Sequence, residues 1–193
     1  MRDVTVVSGV PGVGASEVCQ TARAQLGEGY RLLNFGDVML ERAVTRGTVQ
    51  SRDDLATLPQ RELRLLQRRA GEYVASVAEG PSVVLNTHLA VATAHGFLPG
   101  LPPAVRADVD PARYVLVEAD PATIGERREQ VEYREYREQG TRAIDVHQDL
   151  NRAAAMYHAA ETGAPVRLVE NEGAVADAAD DLAAIVSQAD PSR

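Results

Sequence analysis

Gly9, Gly12, Gly14 and Ser16 lie close together near the start of the chain, in the stretch "VTVVSGVPGVGASE". Glycines at this spacing let backbone N–H groups turn inward around a phosphate, and a hydroxyl at Ser16 stands where it would join a magnesium shell. The β-branched run Val4–Val7 precedes them and a helical pattern follows from Glu17, so the order is strand, loop, helix. In that order the helix presents its positive end to a β-phosphate. The pattern G-x-x-x-x-G-K-[ST] is met at Gly9, Gly14 and Ser16, with Ala15 in the lysine position. The same glycines also suit a plain tight turn between a strand and a helix, and both readings stand at this point. Without the lysine a cation that would bridge β- and γ-phosphates is missing, and losing one such preorganised donor costs about 10²–10³ in rate. Loop amides and the helix dipole can still bind the ground state.

Arginine is the other chemical resource. All 20 basic residues are arginine, so no lysine elsewhere in the chain can stand in for Ala15. Arg127, Arg128, Arg134 and Arg137 alternate with Glu126, Glu129, Glu132 and Glu135, a pattern that by itself reads as a solvated helix face. His88, His95, His147 and His158 lack metal-ligand spacing and read as satisfied or exposed side chains. Tyr133 and Tyr136 read as a pair on a helix surface. Cys19, the single cysteine, falls in the first predicted helix and reads as a small buried residue rather than a reactive thiol.

These groups need a scaffold, and the composition supplies one. A chain of 193 residues that is 45% apolar can bury a full core as one domain, spanning 1–193. It has no apolar run long enough for a membrane span, and "MRDVTVV" runs straight into a strand without a secretion signal. The expected location is therefore cytoplasmic. A net charge of −8 argues against a nucleic-acid groove, which needs a concentrated basic face. The acidic, lysine-free balance fits a protein adapted to high salt, where self-repulsion is screened, or a GC-rich genome that favours arginine.

Periodicity predicts strands at Val4–Val7, Tyr30–Asn34, Ser82–Asn86, Arg113–Glu118 and Val166–Val169, with helices at Glu17–Gln25 and across Leu58–Ala78. Four of the five strands are β-branched or leucine-rich runs of the kind buried on both faces, which predicts an α/β fold with a parallel sheet between helices. Three prolines and two glycines predict loop over Gly96–Pro103. The final "SQADPSR" reads as a frayed tail.

Six stretches in order carry a more specific signal: "GVPGVG", "NFGDVM", "RDDLATLP", "TH" followed by "GFLPGLP", "VEADP" and "HQDLNRAAAM". Together they resemble the archaeal type of adenylate kinase, a nucleoside monophosphate kinase that interconverts ATP and AMP with two ADP, from Val4 to about Ile185. The resemblance implies a P-loop three-layer fold with a five-stranded parallel sheet, an AMP-binding helical insert at about 34–70 and a short lid at about 127–142. It implies that Gly9, Val10, Pro11, Gly12, Val13, Gly14, Ala15 and Ser16 cradle the phosphates of ATP, with Mg2+ reaching Ser16. It places Asn34, Gly36, Met39, Arg52, Thr87 and His88 around AMP, and Arg128, Arg134 and Arg152 as catalytic cations. The loop Asn171–Gly173 would pass near the adenine ring. Partners implied are ATP and AMP, with homo-oligomers, including trimers, among relatives.

This chain departs from that family where charge meets phosphate. Ala15 replaces lysine and Asn86 replaces the aspartate of D-T-H; Gln130, Val131, Tyr136 and Arg137 stand where arginine, aspartate, arginine and aspartate are expected. Ala56, Ala92 and Ala94 replace an arginine, a lysine and a proline. Three functions are compatible with this: a nucleotide-binding homologue with weakened or lost phosphoryl transfer, a working kinase in which an arginine such as Arg137 replaces the lysine, and a nucleotide-sensing regulatory or interaction protein.

Overall fold

The computed structural model describes residues 3–45, 47, 49, 54–55, 58–93, 96–130 and 140–188. Five parallel strands form the main sheet in the order β2-β3-β1-β6-β7: β1 Val4–Ser8, β2 Tyr30–Asn34, β3 Ser82–Thr87, β6 Arg113–Glu118 and β7 Val166–Glu170. Register places Val7 beside Asn86, Ser8 beside Thr87 and Asn34 beside Asn86, so the carboxyl ends of the strands finish on one edge. Parallel sheets of this kind place ligands beyond that edge.

The period-2 alternation of strand side chains builds two cores. Val4, Val6, Val83, Leu85, Tyr114 and Leu116 face one layer, formed by α2 Phe35–Val44, α3 Gln60–Val77, α4 Pro103–Val109 and part of α6 Thr141–Thr162. Val7, Val84, Val115 and Val117 face the other, where α1 Ala15–Gln25 packs on α7 Val175–Ser187. Arg113 is buried and donates to the Ile185 and Val186 carbonyls, each at 2.9 Å, closing the end of α7. Helix α5, Pro121–Glu129, leads from the end of β6.

Two expectations need correction. Only the central strands β1, β3 and β6 are buried along their length. The edge strands β2 and β7 keep residues in solvent, and Leu168 is 59% exposed, so β7 is leucine-bearing without being covered. Of the predicted loop at Gly96–Pro103, residues 100–102 are irregular as expected, but Gly96–Pro99 is a strand and Pro103 opens a helix. β5, Gly96–Pro99, pairs antiparallel with β4, Ala90–Thr93. In a two-stranded ribbon both strands are edges, so Pro99 costs no interior hydrogen bond, while Pro103 sits in the first turn of α4, where its missing N–H is spare.

Candidate active site

Beyond the carboxyl end of β1 the chain turns through Gly9–Gly14 into α1. Gly12 and Gly14 hold φ of 90° and 88°, the left-handed region that side chains rarely adopt. Val10 and Val13 are buried and pin the loop to the core below it. Gly14 caps α1, with the Val18 N–H on its carbonyl at 3.0 Å. Ala15 opens the helix with its methyl group in the core. The residue that replaces the lysine therefore presents no charge to the loop.

Polar side chains from distant segments fasten this turn. Ser8 donates to Asn151 Oδ1 on α6 at 2.8 Å and accepts from the Leu89 N–H at 3.0 Å. Asn171, just after β7, donates from Nδ2 to the Val13 carbonyl at 2.8 Å. A Cβ on Gly14 would lie 2.6 Å from that nitrogen, so the loop and Asn171 fit only because position 14 has no side chain. His88, following β3, has Nδ1 at 2.7 Å from the Gly9 carbonyl and donates to it in the Nδ1–H tautomer. Gln148 on α6 accepts from the Ala119 N–H and donates to the Ala119 carbonyl, holding the end of β6 from both sides.

Two cations lie directly on the loop. Arg128 Nε donates to the Pro11 carbonyl at 2.7 Å, and Arg127 Nη1 donates to the Val13 carbonyl at 3.2 Å. Burial lowers the Arg128 pKa from its ordinary range, because a guanidinium against the loop has lost part of its water. The two arginines are thus not a solvated helix face. Arg152, also expected to enter the site, is held in a fork by Glu118, with Nε and Nη2 each at 2.8 Å from its oxygens, and by Asp149 at 2.9 Å. Its pKa rises above the usual arginine value, first through the Glu118 hydrogen bond.

At the carboxyl end of β2 Asn34 caps α2, its side chain accepting from the Asp37 N–H at 3.3 Å. Gly36 follows in the first helical turn, while Met39 is buried in the core, so its side chain supports the segment rather than facing a ligand. Thr87 ends β3 and Asn86 precedes it; Asn86 Nδ2 donates to Ser16 Oγ at 2.9 Å. That bond takes one lone pair of the serine oxygen and leaves the other for a hard cation such as Mg2+.

Comparison with known proteins gives the family and the fold. A family model described as an AAA domain matches residues 8–145. The chain is 44% identical to adenylate kinase of Methanopyrus kandleri, over 89% of this chain and 90% of that protein. It is 40% identical to that of Methanothermobacter thermautotrophicus, over 87% and 90% respectively. The chain belongs to the adenylate kinase family. Among solved structures, a shikimate kinase from Bacteroides thetaiotaomicron superposes with a TM-score of 0.58 at 13% identity, covering 96% of this chain and 99% of that one. A gluconokinase from Sinorhizobium meliloti gives 0.52 at 16%, covering 96% and 92%. At such identities the likeness concerns the P-loop three-layer fold alone.

For this adenylate kinase family member, Arg52, Arg134, Tyr136, Arg137, Ala56, Ala94 and most of the segment expected to be the lid lie outside the described residues. Asn171 lies under the phosphate loop, and its neighbour Glu172 accepts from the Asp120 N–H and, at 3.1 Å, from the Thr123 hydroxyl, capping α5. Sequence reasoning gave no role to Ser8, Asn151 or Gln148, and named Glu172 only as part of the loop Asn171–Gly173. Asn151 and Gln148 stand out only by being buried on the same helix face as Ile144 and Ala155, and spacing alone does not show which polar residues there are bonded inward.

Proposed function

We propose that this chain binds ATP and AMP at the edge described above and that its transfer of phosphoryl between them is weak. The observation that carries the reading is the pair Ala15 and Asn86: a methyl group opens α1, and an amide rather than a carboxylate meets Ser16. The turn itself keeps both left-handed glycines, and the supports from Ser8, Asn151 and Asn171 remain, so the loop amides can still meet phosphate oxygens. Ser16 would hold Mg2+ through its free lone pair, and the ion when bound would neutralise phosphate charge. Arg127 and Arg128 would lie over the phosphates, and Thr87 and Asn34 would flank AMP. The acidic, lysine-free composition supports a working environment of concentrated salt in the cytoplasm.

Cations are the main apparatus of phosphoryl transfer, so thinning them lowers turnover from an ordinary kinase value of about 1–100 per second to roughly 0.1 per second or less. ADP formation from ATP and AMP with magnesium in molar potassium chloride tests this. The expected result is slow turnover in folded wild-type protein and a gain in Ala15→Lys. Ordinary wild-type turnover overturns it.

A second reading is favoured by one contact. Arg128 Nε already sits on the Pro11 carbonyl, so a guanidinium reaches the loop where the lysine is missing. If Arg128 supplies the lost charge, Arg128→Ala abolishes activity and Ala15→Lys changes it little.

A further inference from the structure

The C-terminal part of α2 and the second half of α3 line a half-open cavity of about 330 Å³, bordered by Glu41, Arg42, Thr45, Arg69 and Tyr73. That is at the small end of the range for small-molecule sites. Asn34 marks the acceptor side of the nucleotide edge, and Arg42 lies eight residues further along the helix, about 12 Å at the helical rise. Helix α3 ends at Val77, shortly before β3 opens at Ser82, so Arg69 and Tyr73 lie toward the amino ends of the strands, the opposite edge from the phosphate loop, although Arg42 and Arg69 belong to the segment 34–70 expected around AMP.

Its polar lining is unbalanced. Arg42 Nε and Arg69 Nη1 are both buried and have no hydrogen-bond acceptor among the described residues. A buried donor left without a partner is costly, and for a charged group the cost is larger. The Arg42 guanidinium carbon lies over the Tyr73 ring, 4.6 Å from its centroid, a contact that supplies no hydrogen-bond acceptor for its buried Nε. Among the described residues no carboxylate makes an ion pair with Arg42 or Arg69. Glu41 makes no ion pair among the described residues, and nearby Glu72 is engaged with Arg68 at 3.3 Å. The Thr45 hydroxyl spends its hydrogen on the Glu41 carbonyl at 2.7 Å. Two guanidiniums facing one exposed carboxylate make a locally positive concavity on a chain whose net charge is −8.

We propose that this cavity is a second binding site, for a small phosphorylated anion, formed by the donors of Arg42 and Arg69 and separate from the nucleotide edge. Planar guanidiniums suit phosphate oxygens, to which each can give two parallel hydrogen bonds. The cavity exceeds a bare phosphate ion, so the occupant carries its phosphate on a compact organic group. Nothing in this site depends on whether the protein transfers phosphoryl groups.

The test uses ¹⁵N-labelled full-length protein with the nucleotide edge saturated by AMP and a non-hydrolysable ATP analogue. Inorganic phosphate and ribose 5-phosphate are titrated separately, and the arginine Nε–H resonances are followed. The expected result is a saturable shift of the Arg42 resonance, reached at lower concentration with ribose 5-phosphate. Equal saturation by inorganic phosphate still supports the site and assigns it to the free ion. Arg42→Gln and Arg69→Gln each weaken this binding at least about 10-fold, the loss typical of one charged hydrogen bond, with nucleotide affinity unchanged. If either glutamine variant, shown to be folded by its ¹⁵N spectrum, also loses nucleotide binding, the cavity is part of the nucleotide site and the proposal is overturned. No saturable shift in wild-type protein, or equal anion affinity in the doubly substituted Arg42→Gln/Arg69→Gln protein, overturns the proposal. So does a shift that appears only when the nucleotides are left out, because the anion is then occupying the phosphate loop.

Discussion

Replacing Gly14 by alanine strains the phosphate loop in two separable ways. The backbone at φ 88° must hold a residue with a Cβ, which costs about 1–2 kcal/mol. The new methyl also falls 2.6 Å from Asn171 Nδ2, so Asn171 must leave the Val13 carbonyl and forfeit a bond worth about 1 kcal/mol. The total of about 2–3 kcal/mol corresponds to a melting temperature lower by about 4–12 °C for a domain of this size. Asn171→Ala alone costs less, because it removes Nδ2 together with Oδ1, a buried atom that has no partner among the described residues. In the double variant the clash is gone and only the backbone strain and the lost bond remain. Denaturant unfolding of wild type, both single variants and the double closes a cycle. The double should be more stable than the sum of the singles predicts by about 1 kcal/mol, within the range for residues in contact. Additivity within about 0.3 kcal/mol would refute the contact between loop and amide.

Other outcomes follow from the same packing. His158 is buried against Tyr114, with ring centroids 5.8 Å apart, and burial followed by the charge of Arg106 lowers its pKa. The unfolded chain then binds more protons below the ordinary histidine value of about 6.5, so this contribution to stability is full above that pH and is lost as pH falls; His158→Phe should flatten the stability profile between pH 7 and pH 5. Burial pushes the Cys19 thiol up to about 12, and a disulfide reagent should label it only in unfolded protein. Breaking the Arg152–Glu118 fork is asymmetric, since the arginine side chain is 42% exposed and the glutamate 13%. Arg152→Ala strands the carboxylate and should cost about 1–2 kcal/mol, and Glu118→Gln, which leaves a solvated cation, under about 1 kcal/mol; equal costs by urea unfolding would contradict that order.

Strand β1, the glycine turn and α1 are legible because their signals are local: a β-branched run, glycines where φ must be positive, then helical spacing. The order of elements is legible for the same reason. Edge and centre are not, since Leu168 on β7 and Leu85 on β3 look alike in sequence and differ only in what lies across them. Pro99 suggests loop because a proline is weighed against the interior of a sheet, and the ribbon it belongs to has no interior. Arg127 and Arg128 read as surface charge because the carbonyls they meet, on Val13 and Pro11, lie more than a hundred residues away in the chain. Their neighbours in sequence are glutamates; their neighbours in space are backbone oxygens.

Helix α5 carries acidic groups at one end and basic groups at the other. Asp120 and Glu172 meet its opening N–H groups, and Arg127 and Arg128 fall in its last turn, so the side-chain charges run opposite to the dipole of the backbone and offset it at both ends. It thereby acts as a spacer of set length and set phase, anchored on the loop after β7 and delivering two guanidiniums to the phosphate loop. One residue inserted within Pro121–Glu129 would lengthen it by only about 1.5 Å but rotate both arginines by about 100° about its axis. The site tolerates a small change in reach far better than a change in phase, and the length of this helix is thus fixed by the direction in which its last turn must face.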